Sequence, residues 1–180
     1  MAIAWSELRG VHGHSAQVEF PDDWGPGPFS VERRGWGTVA SVTAERPSGE
    51  AGPPFVWLHL TIASPLNAQA GRPLVSNPFI LEKATAFFRT GGLAWLTDVH
   101  VWDGGRPFKV FDNLHVAGDL SAREFPPDGG RPTNTWVLNA ELQIGVGLSL
   151  RFAFSEGLDP EQSVTIFGAR AVFSRRGPAP

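Results

Sequence analysis

His12-Gly13-His14, followed five residues later by Glu19, is the first place along the chain where residue types and spacing could do chemistry. Alternate residues of a strand share one face, so two imidazoles spaced this way can meet one cation, with a carboxylate as a third ligand. A second group could recognise a ligand: Trp57 with His59 on one alternating segment, and His100 with Trp102 on another, followed by Asp103. Both pairs stand opposite an apolar row, and two tryptophans are an unusual choice for a plain solvent-facing surface. Such a face packs under a loop, meets a partner subunit, or stacks a flat ligand such as a sugar ring.

His-x-His with a later glutamate is also similar to the first half of the metal-binding signature of cupins, which are jelly rolls. On that reading His12, His14 and Glu19 would hold a metal ion in a cupin-like enzyme. The pattern is incomplete: Ser6 stands where the signature has glycine, and the second half, a Pro-x-Gly with a later histidine, is missing. Other chemistry has less support. Gly13-His14-Ser15-Ala16-Gln17 ends in glutamine where a nucleophile elbow needs glycine, and no helix pattern follows it. Asp98, Asp103, Asp112 and Asp119 cluster around one hairpin, yet a glycosidase needs two carboxyls on facing strands, and Asp103 is accounted for by the turn before Gly104-Gly105. Phosphate-binding glycine loops are absent.

The elements that must position these residues read as strands. Ile144, Val146, Leu148, Leu150, Phe152 and Phe154 alternate with Gly145, Gly147, Ser149, Arg151, Ala153 and Ser155. Val56, Leu58, Leu60 and Ile62 alternate with Phe55, Trp57, His59 and Thr61 between Pro53-Pro54 and Pro65. Leu93, Trp95, Thr97, Val99 and Val101 alternate with Ala94, Leu96, Asp98, His100 and Trp102, and Asp103-Gly104-Gly105 turns the chain back toward Phe108 and Val110. Weaker strands are expected at 16–20, 38–43, 80–88, 120–125, 136–143 and 164–173. The stretches 21–28, 46–54, 65–78 and 126–132 read as loops. No helical stripe of a dozen residues survives the glycines and prolines, which disfavours parallel α/β folds.

Composition agrees. The chain has 180 residues, 21 glycines and 16 prolines, about a fifth of the total against roughly 12% on average. It has no cysteine, so disulfides, thiolate zinc sites and cysteine nucleophiles are excluded. A net charge of −3 provides no basic field for nucleic acid. The first residues, Met1 to Glu7, lack the features of a secretory signal, and no segment approaches a membrane-spanning length, so cytoplasmic residence is the default expectation, with export by another route left open.

Five segments together resemble a bacterial domain-of-unknown-function family of small proteins: His12-Gly13, Gln17-Val18-Glu19, Arg33 to Gly37, His100 to Gly104, and the strand Ile144 to Leu150. The resemblance spans most of the chain and implies an all-β fold; it implies no activity.

The expected architecture is a single domain over 1–173, a two-sheet antiparallel β-sandwich of jelly-roll type, with 174–180 as a disordered tail. The leading functional expectation is a non-catalytic protein acting by association, with itself or with another protein. The small residues Gly145, Gly147, Ser149 and Ala153 leave room for another layer, and open sheets have edges to cover, so a homo-oligomer is expected. A carbohydrate-binding module using Trp57, His59, His100, Trp102 and Asp103 is the alternative, and the cupin-like enzyme comes third. No cofactor, nucleic acid or membrane is expected under the first two readings.

Overall fold

The fold was read from a computed structural model, in which residues 3–19, 29–42, 53–65, 79–124, 133–142, 145–155 and 161–176 are described. They form eleven strands: β1 Ile3–His12, β2 Gln17–Glu19, β3 Phe29–Arg34, β4 Gly37–Val42, β5 Phe55–Ile62, β6 Phe79–Gly91, β7 Trp95–Asp103, β8 Arg106–Phe111, β9 Thr135–Leu142, β10 Val146–Ala153 and β11 Ser163–Arg176. A 3-10 turn at Gly13–Ser15 joins β1 to β2. Among the described residues no helix is long and apolar enough to cross a membrane.

The strands form two antiparallel sheets, one ordered β3-β4-β11-β6-β9 with β1 also on β11, the other β2-β5-β10-β7-β8. The eight strands β4 to β11 pair as a long hairpin rolled up: β4 beside β11, β5 beside β10, β6 beside β9, β7 beside β8. Successive pairs alternate between the sheets, which is the jelly-roll arrangement. The all-β sandwich expected from period-two patterning is therefore the observed fold.

Its core lies between the sheets. Val56, Leu58, Leu60 and Ile62 of β5 and Val146, Leu148, Leu150 and Phe152 of β10 are buried against Ala86 and Phe88 of β6 and Val164, Ile166 and Phe173 of β11. Phe88 and Phe152 meet edge to face with centroids 5.2 Å apart. Each large side chain so buried contributes about 1.5–3 kcal/mol, and because the alternation sends these residues inward, the intervening ones must point outward.

β1 and β4 share one side of β11, β4 along Ser163–Ile166 and β1 along Gly168–Arg176. Where they meet, two glycines are required: a Cβ on Gly13 would stand 2.0 Å from the Ile166 carbonyl oxygen, and one on Gly37 2.2 Å. The Thr38 hydroxyl closes the junction by donating to the Gly13 carbonyl at 2.9 Å.

Four features differ from the patterning. β1 and β3 carry little alternation and are strands through backbone pairing with β11 and β4. Residues 120–124 are not a strand: Asp119 bonds the Ser121 backbone N–H, and buried Asn134 donates its amide to the carbonyls of Leu120 and Arg123, bending the chain. Thr97 is an extra residue in β7, since Leu96 pairs with Phe152 and Asp98 with Arg151. That bulge shifts the alternation by one position, so Leu96 and Val99 both face the core and Trp95 does not. Finally, Ser174 to Arg176 belong to β11 and pair with β1 instead of opening a tail, because β1 supplies the missing partner strand. Residues 177–180 lie outside the described residues, as do most of the expected loops at 21–28, 46–54, 65–78 and 126–132.

Candidate functional site

Four of the five ligand-site residues read from the sequence come together on the outer face of the five-stranded sheet. Register aligns Gln17, His59, Ser149, His100 and Val110 in one row across β2, β5, β10, β7 and β8. The next row holds Glu19, Trp57, Arg151 and Asp98, and the row on the other side Thr61, Gly147 and Trp102. β10 is the middle strand, and its outward residues are small except for Arg151. Side chains from β5 and β7 therefore reach over it: the rings of Trp57 and His100 meet at 4.8 Å between centroids. His59 and Trp57 are 6.3 Å apart and nearly parallel at 12°, and His100 and Trp102 are 6.2 Å apart. The result is a partly exposed, uneven plate of four rings, with His100 tilted by 54° to Trp57 and by 53° to Trp102.

Hydrogen bonds hold the plate. His59 Nε2 lies 2.8 Å from Glu19 Oε2, His59 Nδ1 lies 2.8 Å from Ser149 Oγ, and the Trp102 indole N–H donates to the same Oγ at 2.9 Å. A carboxylate only accepts and an indole only donates. Neutral His59 thus carries its proton on Nε2, toward Glu19, and its Nδ1 lone pair accepts the Ser149 hydroxyl. On the other side His100 Nε2 stands 3.4 Å from Asp112 Oδ1. Arg151 donates to Asp98 at 3.1 Å and lies over the Phe55 ring at 4.0 Å, while its Nε is buried without a hydrogen-bond partner.

No protein-family model, curated protein or solved structure matches the chain.

Asp103 stands apart from the plate. It ends β7, pairs with Val146, and its carboxylate accepts the Gly145 backbone N–H at 3.1 Å, which fastens the β7–β8 turn to the start of β10. The three metal-ligand candidates are not brought together either. His12 ends β1 and His14 lies in the 3-10 turn, not two positions on along one strand; the His14 backbone N–H donates to His12 Nδ1 at 3.1 Å, and His14 Nδ1 faces the Arg34 carbonyl at 3.2 Å. Glu19 belongs to the other sheet, with His59. Both histidines also lie outside the eight-strand roll, and among the described residues no group of three His, Asp or Glu side chains is placed to hold a metal ion.

Sequence reading missed Ser149, Arg151, Asp98 and Asp112 as members of the site, and it placed Glu19 with the wrong histidines. The alternation of β10 did put Ser149 and Arg151 on the outer face. Which side chains share that face depends on strand neighbours and register, and these are set by the roll of the whole chain.

Proposed function

We propose that the protein is a binding module and that its ligand, a saccharide, lies on the outer face of the five-stranded sheet. The observation that carries this reading is the run of neighbouring rings His59, Trp57, His100 and Trp102, of which His59 and Trp102 are both hydrogen-bonded to Ser149. Aromatic faces take the C–H face of a sugar ring, and the ring hydroxyls then need fixed polar groups around it. Glu19 and Asp112, both half-exposed or more, offer acceptors at opposite edges of the plate. Their negative charge disfavours phosphorylated or nucleic-acid ligands. Because the rings are already positioned, binding orders few side chains, which lowers the entropic cost of recognition.

Glycan-array screening of the intact chain followed by calorimetric titration tests the reading. Trp57→Ala should abolish binding of whichever saccharide is found while leaving the melting temperature nearly unchanged. Absence of saccharide binding, or binding that survives Trp57→Ala and Trp102→Ala together, would refute it.

A further inference from the structure

We propose that Ser149 is a nucleophile activated by His59 and Glu19, and that it acts on a small carboxylic ester. This goes beyond the saccharide reading and does not rest on it. A serine nucleophile is recognised by a hydroxyl within about 2.6–3.2 Å of a base that is itself oriented by a third group. Both contacts are present at 2.8 Å, and with the Nε2 proton directed to Glu19 the His59 Nδ1 lone pair faces the Ser149 hydroxyl. The ring uses Nδ1 toward the hydroxyl and Nε2 toward the carboxylate; either nitrogen can serve as the base provided the other is held protonated. The three residues come from β10, β5 and β2, so the alignment is built on paired strands.

Ser149 is 5% exposed. Gly147 is the next outward residue of β10, and the three atoms nearest to where its side chain would begin all belong to Trp102, the first at 3.2 Å. Thr61, paired with Gly147 on β5, is exposed. An acyl group reaching Oγ passes between His59 and the Trp102 ring, which borders Gly147.

In the first half-reaction Oγ bonds to the ester carbonyl carbon, its proton passes to His59 Nδ1, and the carbonyl π pair moves onto oxygen. Glu19 stabilises the imidazolium. As Oγ becomes an ester oxygen it accepts weakly, which releases the Trp102 N–H to the oxyanion on the same carbon. Collapse breaks the bond to the alcohol, which leaves with the proton from Nδ1. Water then gives a proton to Nδ1 and attacks the acyl-serine; the bond to Oγ breaks, the acid departs, and Ser149 regains its proton. Water is the only co-reactant.

The test is to treat the intact protein with a fluorophosphonate and map the adduct by mass spectrometry. One adduct on Ser149 is expected, absent in Ser149→Ala and slower by about 10²-fold or more in His59→Phe. Hydrolysis of 4-nitrophenyl acetate should fall in parallel. A folded wild-type protein left unmodified at Ser149 while a control serine esterase is fully labelled would overturn the proposal, as would equal labelling in His59→Phe. The chain has no cysteine, so Ser149→Cys adds one thiol whose reactivity reads the same base. Its alkylation by iodoacetamide near neutral pH should be at least about tenfold faster with His59 than with His59→Phe, because the thiolate is the reactive form; equal rates would also overturn the proposal.

Discussion

A Cβ placed on Gly147 would stand 3.2 Å from the Cβ of Trp102 and 3.6 Å from its indole ring, so a side chain of the neighbouring strand crowds this glycine. Among the small outward residues of β10, Gly147 is the one over which Trp102 leans. Gly147→Val should therefore displace Trp102 from Ser149 and abolish binding on this face, with the fold retained and stability lowered by about 1–3 kcal/mol, the usual range for overpacking. Circular dichroism and the Trp102 indole N–H resonance would show this. Gly147→Glu should act likewise and leave the solution mass in light scattering unchanged; a fall in mass would assign the face to a subunit contact.

Trp57 and Trp136 should respond oppositely to truncation. Trp136 is 3% exposed within the core, and emptying its site should cost about 3–5 kcal/mol. Trp57→Ala removes a partly exposed ring and should shift the melting temperature far less while removing ligand binding. Similar losses in both variants, measured by chemical denaturation, would make Trp57 a core residue.

The junction of β1, β4 and β11 should be intolerant of a single methyl group. At Gly37 a Cβ meets backbone, the Ile166 carbonyl, at 2.2 Å, and neither strand can retreat without breaking its pairing. Gly37→Ala is expected to cost on the order of 3 kcal/mol or more, whereas Gly35→Ala, with nothing within 4 Å, should stay within about 0.5 kcal/mol. Denaturant midpoints of the two variants test the contrast.

Asp119 is held below the ordinary carboxylate range, first by the Ser121 hydroxyl, then by Arg89, whose Nε donates to it at 3.0 Å, and by the Ser121 backbone N–H. A carboxyl whose folded value is lowered contributes stability above its unfolded value, near 3.9, and loses it as pH falls through the folded value. Ser121→Ala and Arg89→Ala should each raise the Asp119 titration midpoint and narrow the acid range over which this small, solvent-screened contribution persists. Carboxyl titration by NMR reads both effects.

Zinc should not stabilise the protein through His12 and His14. His12 Nδ1 already accepts the His14 backbone N–H, and Glu19 is bonded to His59. Thermal melts with micromolar Zn²⁺ are expected to match those without it, and His12→Ala with His14→Ala should change neither. A zinc-dependent rise lost in that double variant would restore the metal reading.

The sequence by itself determined the strands with a strong period of two, β5, β7 and β10, because burying one face of a pleated strand requires that alternation. It also determined that Trp57, His59, His100 and Trp102 lie opposite a buried row, and that without cysteine any site must use oxygen, imidazole and aromatic groups. It could not show that His59 and Trp102 meet on one serine. Residues 59, 102 and 149 are joined only when the rolled hairpin inserts β10 between β5 and β7, and pairing partners so distant in sequence leave no local pattern. The same holds for Glu19, whose short strand binds β5 at the sheet edge and turns its carboxylate to His59 instead of His12 and His14. The bulge at Thr97 and the continuation of β11 to Arg176 were likewise decided by partner strands, since backbone pairing, unlike side-chain burial, places little constraint on the residues that carry it.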